Sequence, residues 1–228
     1  MTDQDVDRRG DWIQTFSGRR VWPLDPRHDE INFVDIVRGL SKICRYGGHC
    51  LKFFSVAEHC VLMAREAERL GASQQVRLQA LMHDSAEAYL GDIPRPIKVH
   101  LVGYAEAEDR MLECIAKKYG FDYPFDPMVK QLDEAILLRE IECNLAKPEA
   151  PWHLGPFGVE PLTIDLQYWE PNEAAWQFTQ EYLAIENQSL PPENHCEKDC
   201  TCSTDLHRLC VAGAGDRSDI ADAGVESQ

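Results

Sequence analysis

The run Met82-His83-Asp84-Ser85-Ala86-Glu87-Ala88-Tyr89-Leu90-Gly91-Asp92-Ile93-Pro94-Arg95-Pro96-Ile97-Lys98 constrains the chain more than any other stretch. An adjacent His and Asp lie between Ala80, Leu81 and Ala86 in an otherwise helical pattern, where an unpaired carboxylate is costly to bury without a metal or a cation. At helical spacing Glu87 follows His83 by four residues and Asp84 by three, so the three side chains lean to one side. Gly91 and the Pro94-x-Pro96 pair end the pattern, and the turn points Asp92 and Lys98 back toward the helix end.

Local signals place further helices around this run. Ser73 caps a central helix expected from Gln74 to about Leu90. Apolar residues Phe33, Ile36, Val37, Leu40 and Ile43 predict a helix from Phe33 to about Tyr46, capped by Asn32 and stopped by Gly47-Gly48. Arg45 then falls in its last turn, where a cation suits the helix dipole; phosphate binding is the other task open to its guanidinium. Ser55-Val56-Ala57-Glu58 has the form of a capping box and starts a helix to about Leu70, closed by Gly71. His59 shares a stripe with Val56, Leu62 and Met63 and so faces inward; alone, it reads as a core histidine.

A helix from about Tyr104 to Tyr119 stops at Gly120. Asp126-Pro127 starts another, to about Ala146, which carries Asp133 on the face of Ile136 and Leu137. An Asp facing the core needs a partner. The last helix spans about Asn172 to Ile185. Before all of these, Trp12 to Trp22 alternates as a short hairpin or extended arm, followed by a turn at Leu24-Asp25-Pro26-Arg27. The expected fold class is therefore all-α, a bundle of about six or seven helices over residues 12–190. Residues 1–11 form a loose polar start, and 191–228 form an acidic, disordered tail rich in Cys, Asp, Ser and Gly. His195-Cys196, Cys200-x-Cys202 and His207-x-x-Cys210 in that tail offer zinc-type ligands, though not at the spacing of a standard finger.

The 228 residues are enough for one domain with a real core. A formal charge of −16, from 39 acidic and 23 basic side chains, argues against binding to nucleic acid polymers but leaves room for a small phosphate ligand. The start lacks a basic and apolar leader pattern and no stretch approaches a membrane span, so no membrane association is expected. Location in the cytoplasm, or in the host's cytoplasm for a phage-encoded chain, is the expectation. Nine cysteines, an odd number without an export signal, read as reduced thiols.

His59, His83, Asp84 and Asp133 together supply two imidazoles and two carboxylates from three predicted helices. That donor set suits a divalent ion, with zinc, manganese or cobalt first and iron or magnesium next. The set resembles the H…HD…D pattern of the HD-domain metal-dependent phosphohydrolases. The closer resemblance, over residues 12–185, is to bacterial 5'-deoxynucleotidases and phage-type dATP triphosphohydrolases. These share His-Asp-x-x-Glu followed by Gly-Asp-[Ile/Leu]-Pro-x-Pro-x-Lys, matched by His83 through Lys98, and an Arg matched by Arg45.

The resemblance implies that Glu87 and Asp92 are catalytic carboxylates, which handle protons at the attacking water and the leaving oxygen. It implies that Arg45 and Lys98 bind phosphate, and that Tyr46, Gly48 and Pro96 lie at the base. Gly48 departs from the bulky residue usual there, which weakens strict adenine selectivity. The function expected is hydrolysis of a dNTP to release tripolyphosphate. The alternatives are a 5'-deoxynucleotidase that releases orthophosphate from dNMPs and, in another class, a metal-stabilised nucleotide-binding module without turnover. The similarity of Trp12 to Arg27 to the N-terminal arm of the phage-type proteins favours the triphosphohydrolase. The resemblance also implies homo-oligomerisation as a symmetric dimer.

Overall fold

The computed structural model describes residues 8–150, 152 and 158–188. Residues 1–7, His153 with its neighbours, and the tail with its candidate zinc ligands lie outside these. Among the described residues the chain is all-α apart from one two-stranded antiparallel hairpin. In the hairpin, β1 (Ile13–Gln14) pairs with β2 (Arg20–Val21), Ile13 opposite Val21. Six helices of eight residues or more follow: α1 (Phe33–Leu40), α2 (Val56–Arg69), α3 (Gln74–Met82), α6 (Tyr104–Tyr119), α7 (Pro127–Asn144) and α8 (Pro171–Asn187). Two single turns, α4 (Glu87–Leu90) and α5 (Arg95–Lys98), lie between α3 and α6. No helix among the described residues is long and apolar enough to cross a membrane.

The predicted caps act as expected. Asn32 Oδ1 accepts from Val34 N, Ser55 Oγ from Glu58 N, Ser73 Oγ from Val76 N and Asp126 Oδ1 from Met128 N. Each satisfies an N–H that the first helical turn leaves without an intrahelical partner. Past the end of α2, Gly71 takes φ +75°, and its N–H and that of Ala72 reach back to the carbonyls of Glu68 and Ala67.

The structure corrects three expectations. The start of the domain is tied down at Arg8, whose guanidinium meets Asp25 at 2.6 Å and Glu30 at 2.6 Å. The first helix ends at Leu40, not near Tyr46. Ile43 and Cys44 continue as an extended segment that bridges to Ser55, and Arg45–Gly48 forms a separate tight turn with Tyr46 at φ +59°. The helix from Gln74 also stops early, at Met82. Hydrogen bonds from Ser85 to Met82, Glu87 to Asp84 and Tyr89 to Ala86 tighten the backbone to three-residue spacing before α4.

The centre of the bundle is α2, which packs on α3, α7 and α8. Val56, Ala57, Cys60, Val61, Met63 and Ala64 are fully buried, and so are Glu58 and His59. A helix enclosed on every side must satisfy its polar side chains internally. The capping box is correspondingly half formed: Ser55 caps, but Glu58 reaches away. Its carboxylate accepts the backbone N–H groups of Gln167, Tyr168 and Trp169 at 2.7, 2.8 and 2.7 Å. Burial pushes the Glu58 carboxyl up, and the three amides oppose that shift. Elsewhere, α1 packs on α4 and α8. A Cβ at Gly39 would lie 2.9 Å from Ala88 Cβ, so glycine is what lets α1 and α4 approach this closely.

We predict that Glu58→Ala, which leaves three amides without their acceptor, costs about 3 kcal/mol or more. A urea titration should show the midpoint falling with an unchanged slope; a midpoint at the wild-type value would contradict the clamp.

Candidate metal centre

Three elements bring the predicted ligands together. Ser55 fixes the start of α2 and so places His59 one turn in. The tight turn after α3 presents His83 and Asp84. From the other side, α7 presents Asp133 and, two turns on along the same face, Glu140. His59 Nε2 lies 3.3 Å from His83 Nε2, 3.3 Å from Asp133 Oδ1 and 3.7 Å from Asp84 Oδ2, and His83 Nε2 lies 3.2 Å from Asp84 Oδ2. Donor atoms of His59, His83 and Asp133 all fall within 4.8 Å of one another, close enough to hold an ion.

The hydrogen bonds behind the rings show what belongs at the centre. His59 Nδ1 sits 2.7 Å from Glu140 Oε1 and His83 Nδ1 sits 2.9 Å from the Ala80 carbonyl, both acceptors only. In the neutral rings each Nδ1 therefore carries the proton, and each Nε2 turns a lone pair toward the other ring and the two carboxylates. With both rings neutral, four acceptor atoms converge, an arrangement that suits a bound cation. Ligand atoms about 2.1 Å from one ion lie roughly 3.0–3.4 Å apart, close to the spacings found here.

The electrostatics agree. Burial alone would lower the His83 pKa, but Asp84 and Cys60 raise it well above the ordinary range. Burial would raise the Asp84 and Asp133 carboxyls; His83 instead draws Asp84 far down, and His59 draws Asp133 down. Cys60, 3.9 Å from His83 Nδ1, is pushed up to about 11 by burial and stays a neutral thiol behind the ring.

Glu87 is buried, and its Oε2 has no hydrogen-bond partner among the described residues. Burial raises its pKa well above the usual carboxylate range, with Asp84 and Asp92 adding to the shift. Asp92 is also raised, by burial first. Glu87 opens α4, three residues after Asp84, and the charge of Asp84 is among those that raise its pKa.

The cations and aromatics are placed differently from their sequence reading. Arg45 opens the tight turn Arg45–Gly48 and does not lie in the last turn of α1, so the dipole reading falls away. Its Nε meets Glu140 Oε2 at 3.0 Å and its Nη1 faces Asp84 Oδ2 at 3.6 Å. Lys98 Nζ is held by Glu108 Oε1 at 2.5 Å. Tyr46 donates its hydroxyl inward to Glu140 Oε2. Gly48, at φ +82° with open space around it, holds a backbone conformation that a bulky side chain would strain. Pro96 is exposed on α5, and it is Pro94 whose ring comes within 4.0 Å of a Cβ built at Gly47.

Glu140 and Glu108 were not singled out in the sequence. Glu140 had a signal, since it lies seven residues after Asp133 on the stripe of Ile136; Glu108 on α6 had none.

No family profile matches the chain. It is 38% identical over 129 residues to the uncharacterized protein YfdR of Escherichia coli (strain K12), covering 57% of this chain and 70% of that protein. It is 33% identical over 182 residues to the uncharacterized protein RCAP_rcc00048 of Rhodobacter capsulatus, covering 74% of this chain and 92% of that one. The chain belongs to the family of these two proteins. Over most of its length RCAP_rcc00048 is aligned with this chain, so the family's shared core includes a large part of the bundle that carries the site.

The native Glu87 carboxyl keeps its proton above the ordinary value of 4.5. Between that value and its raised one, the folded protein binds more protons than the unfolded chain, so stability falls as pH rises through the window. Glu87→Gln should remove this dependence. In metal-free protein near pH 7.5 we expect it to be more stable than wild type by about 1–3 kcal/mol, and to melt alike near pH 4. A lower melting temperature at pH 7.5 would refute the assignment.

Proposed function

We propose that this chain is a divalent-metal-dependent phosphohydrolase of the HD-domain type that acts on deoxynucleotides. The observation that carries the reading is the convergence of the four acceptor atoms of His59, His83, Asp84 and Asp133, with an arginine and two raised-pKa carboxyls beside them. The four residues would hold the ion, which when bound supplies Lewis acidity toward a phosphoryl oxygen and acidifies water.

The chain's own groups account for the rest of a hydrolysis. Glu87 holds a carboxyl with an unpartnered oxygen, raised toward neutrality, and so can take a proton from an attacking water and pass it on. Asp92, also raised, would exchange protons at the leaving oxygen. Arg45 is gripped at Nε, with Nη1 on the side of Asp84, and so presents a guanidinium edge to a phosphoryl group with little freedom to lose. A site that only held helices together would need neither Glu87 nor Asp92, which argues against the binding-module reading.

Release of tripolyphosphate from a dNTP, dATP-type, is the first reading of the reaction. The engagement of Lys98 by Glu108 favours the second, removal of orthophosphate from a dNMP, because a triphosphate needs cations beyond the first phosphate.

The test is product analysis of the full chain, reconstituted with Mn²⁺, Co²⁺ or Zn²⁺, against dNTPs, dNMPs and ribonucleotides. Tripolyphosphate supports the first reading and orthophosphate from dNMPs the second; no turnover with any metal would sink both. His83→Ala and Asp84→Ala should lose metal retention and turnover together. Arg45→Ala should raise KM about 10- to 100-fold, the loss expected of a charge-assisted hydrogen bond.

A further inference from the structure

Glu140 lies in the middle of α7 with no exposed surface, and it meets three donors from two other parts of the chain. Oε1 accepts from His59 Nδ1 at 2.7 Å. Oε2 accepts from Arg45 Nε at 3.0 Å and from the Tyr46 hydroxyl. All three partners border the candidate metal centre. Burying a carboxylate costs several kcal/mol before its partners compensate, and an apolar side chain would fill this place more cheaply if packing were the only demand.

We infer that Glu140 is a positioning residue that couples the metal ligand His59 to the phosphate-facing Arg45. Its first oxygen fixes the His59 tautomer with the proton on Nδ1 and the lone pair on Nε2, toward Asp133, His83 and the ion. Its second oxygen holds Arg45 by the Nε edge, which leaves Nη1 on the Asp84 side. The same oxygen secures Tyr46 in its left-handed backbone conformation and so fixes the turn that carries the arginine. The metal half of this inference stands on the donor geometry alone; the Arg45 half rests on the phosphohydrolase reading.

The substitution Glu140→Gln separates the two halves. An amide has one acceptor oxygen, and the charged Arg45 together with Tyr46 claims it, which leaves the NH₂ facing His59 Nδ1. The ring must then accept at Nδ1 and carry its proton on Nε2, where it opposes the ion. The expected result is 10- to 100-fold weaker Mn²⁺ binding by the folded, metal-free full-length variant, read by electron paramagnetic resonance titration. KM for the working nucleotide at saturating Mn²⁺ should stay within about threefold of wild type, since Arg45 keeps its acceptor. Glu140→Ala should weaken Mn²⁺ binding and raise KM together.

A purely structural role would lower the melting temperature of Glu140→Gln and leave its Mn²⁺ affinity unchanged, and that result overturns the inference. If the variant does not fold, the wild-type protein loaded with Zn²⁺ decides. Long-range ¹H–¹⁵N spectra should show His59 protonated at Nδ1 with a strongly downfield proton, and protonation at Nε2 refutes the inference. Weakened Mn²⁺ binding in a protein that turns over no nucleotide would keep the positioning role and reject the phosphohydrolase reading.

Discussion

Both nitrogens of the His59 ring face α7, Nδ1 toward Glu140 and Nε2 toward Asp133. This double contact ties the register of α7 to the central helix, because Asp133 and Glu140, seven residues apart, lie on one face of α7. The rest of the site follows from that register. Asp133 reaches the cluster from one turn of α7; from two turns later, Glu140 reaches out to the turn that carries Arg45 and Tyr46. A further turn along, fully buried Asn144 accepts from Lys52 N and donates to Lys52 O, closing the same segment from its other end. Three of the four residues on the stripe Asp133, Ile136, Glu140, Asn144 are thus polar, and each polar member has its partner.

The buried carboxylates divide into two kinds, and the contrast shows where the molecule trades stability for chemistry. Glu58 and Glu140 are fully buried and fully partnered, Glu58 by three backbone amides and Glu140 by a guanidinium, an imidazole and a phenol. Arg45 and His59 draw the Glu140 carboxyl down against the pull of burial, so it stays ionised. Glu87 is nearly as buried but keeps one oxygen free, and its nearest charged neighbours include Asp84 and Asp92, of its own sign. A buried acid with an unpartnered oxygen lowers the stability of the resting fold, and such groups collect where a proton has to move.

Local structure was largely legible in the sequence. Caps and stops at Asn32, Ser55, Ser73, Gly120 and Asp126 mark element boundaries because they act within four residues of the backbone groups they satisfy. The ligands His59, His83, Asp84 and Asp133 were legible because each is a polar residue set in an apolar pattern. What escaped depends on distant parts of the chain. Glu58 has the position of a capping-box acid, yet its amides come from residues 167–169. Arg45 fits the continuing period of α1 until the extended segment Ile43–Cys44 pairs with Ser55 and removes it from the helix. Nothing near Lys98 in sequence announces that Glu108 holds it.

The early end of α3 shows why one such difference matters to the chemistry. In a continuous helix His83 and Glu87 would stack one turn apart on a shared face, and Glu87 would compete with Asp84 and Asp133 for the centre. The three-residue hydrogen bonds from Met82 to Tyr89 instead interrupt the helix, and α4 lies against α1 where Gly39 meets Ala88. Glu87 belongs to neither group of atoms close enough to hold an ion, yet it feels the charge of Asp84. His83 and Asp84, which belong to those groups, stand in the turn between α3 and α4, whereas Glu87, which does not, opens α4.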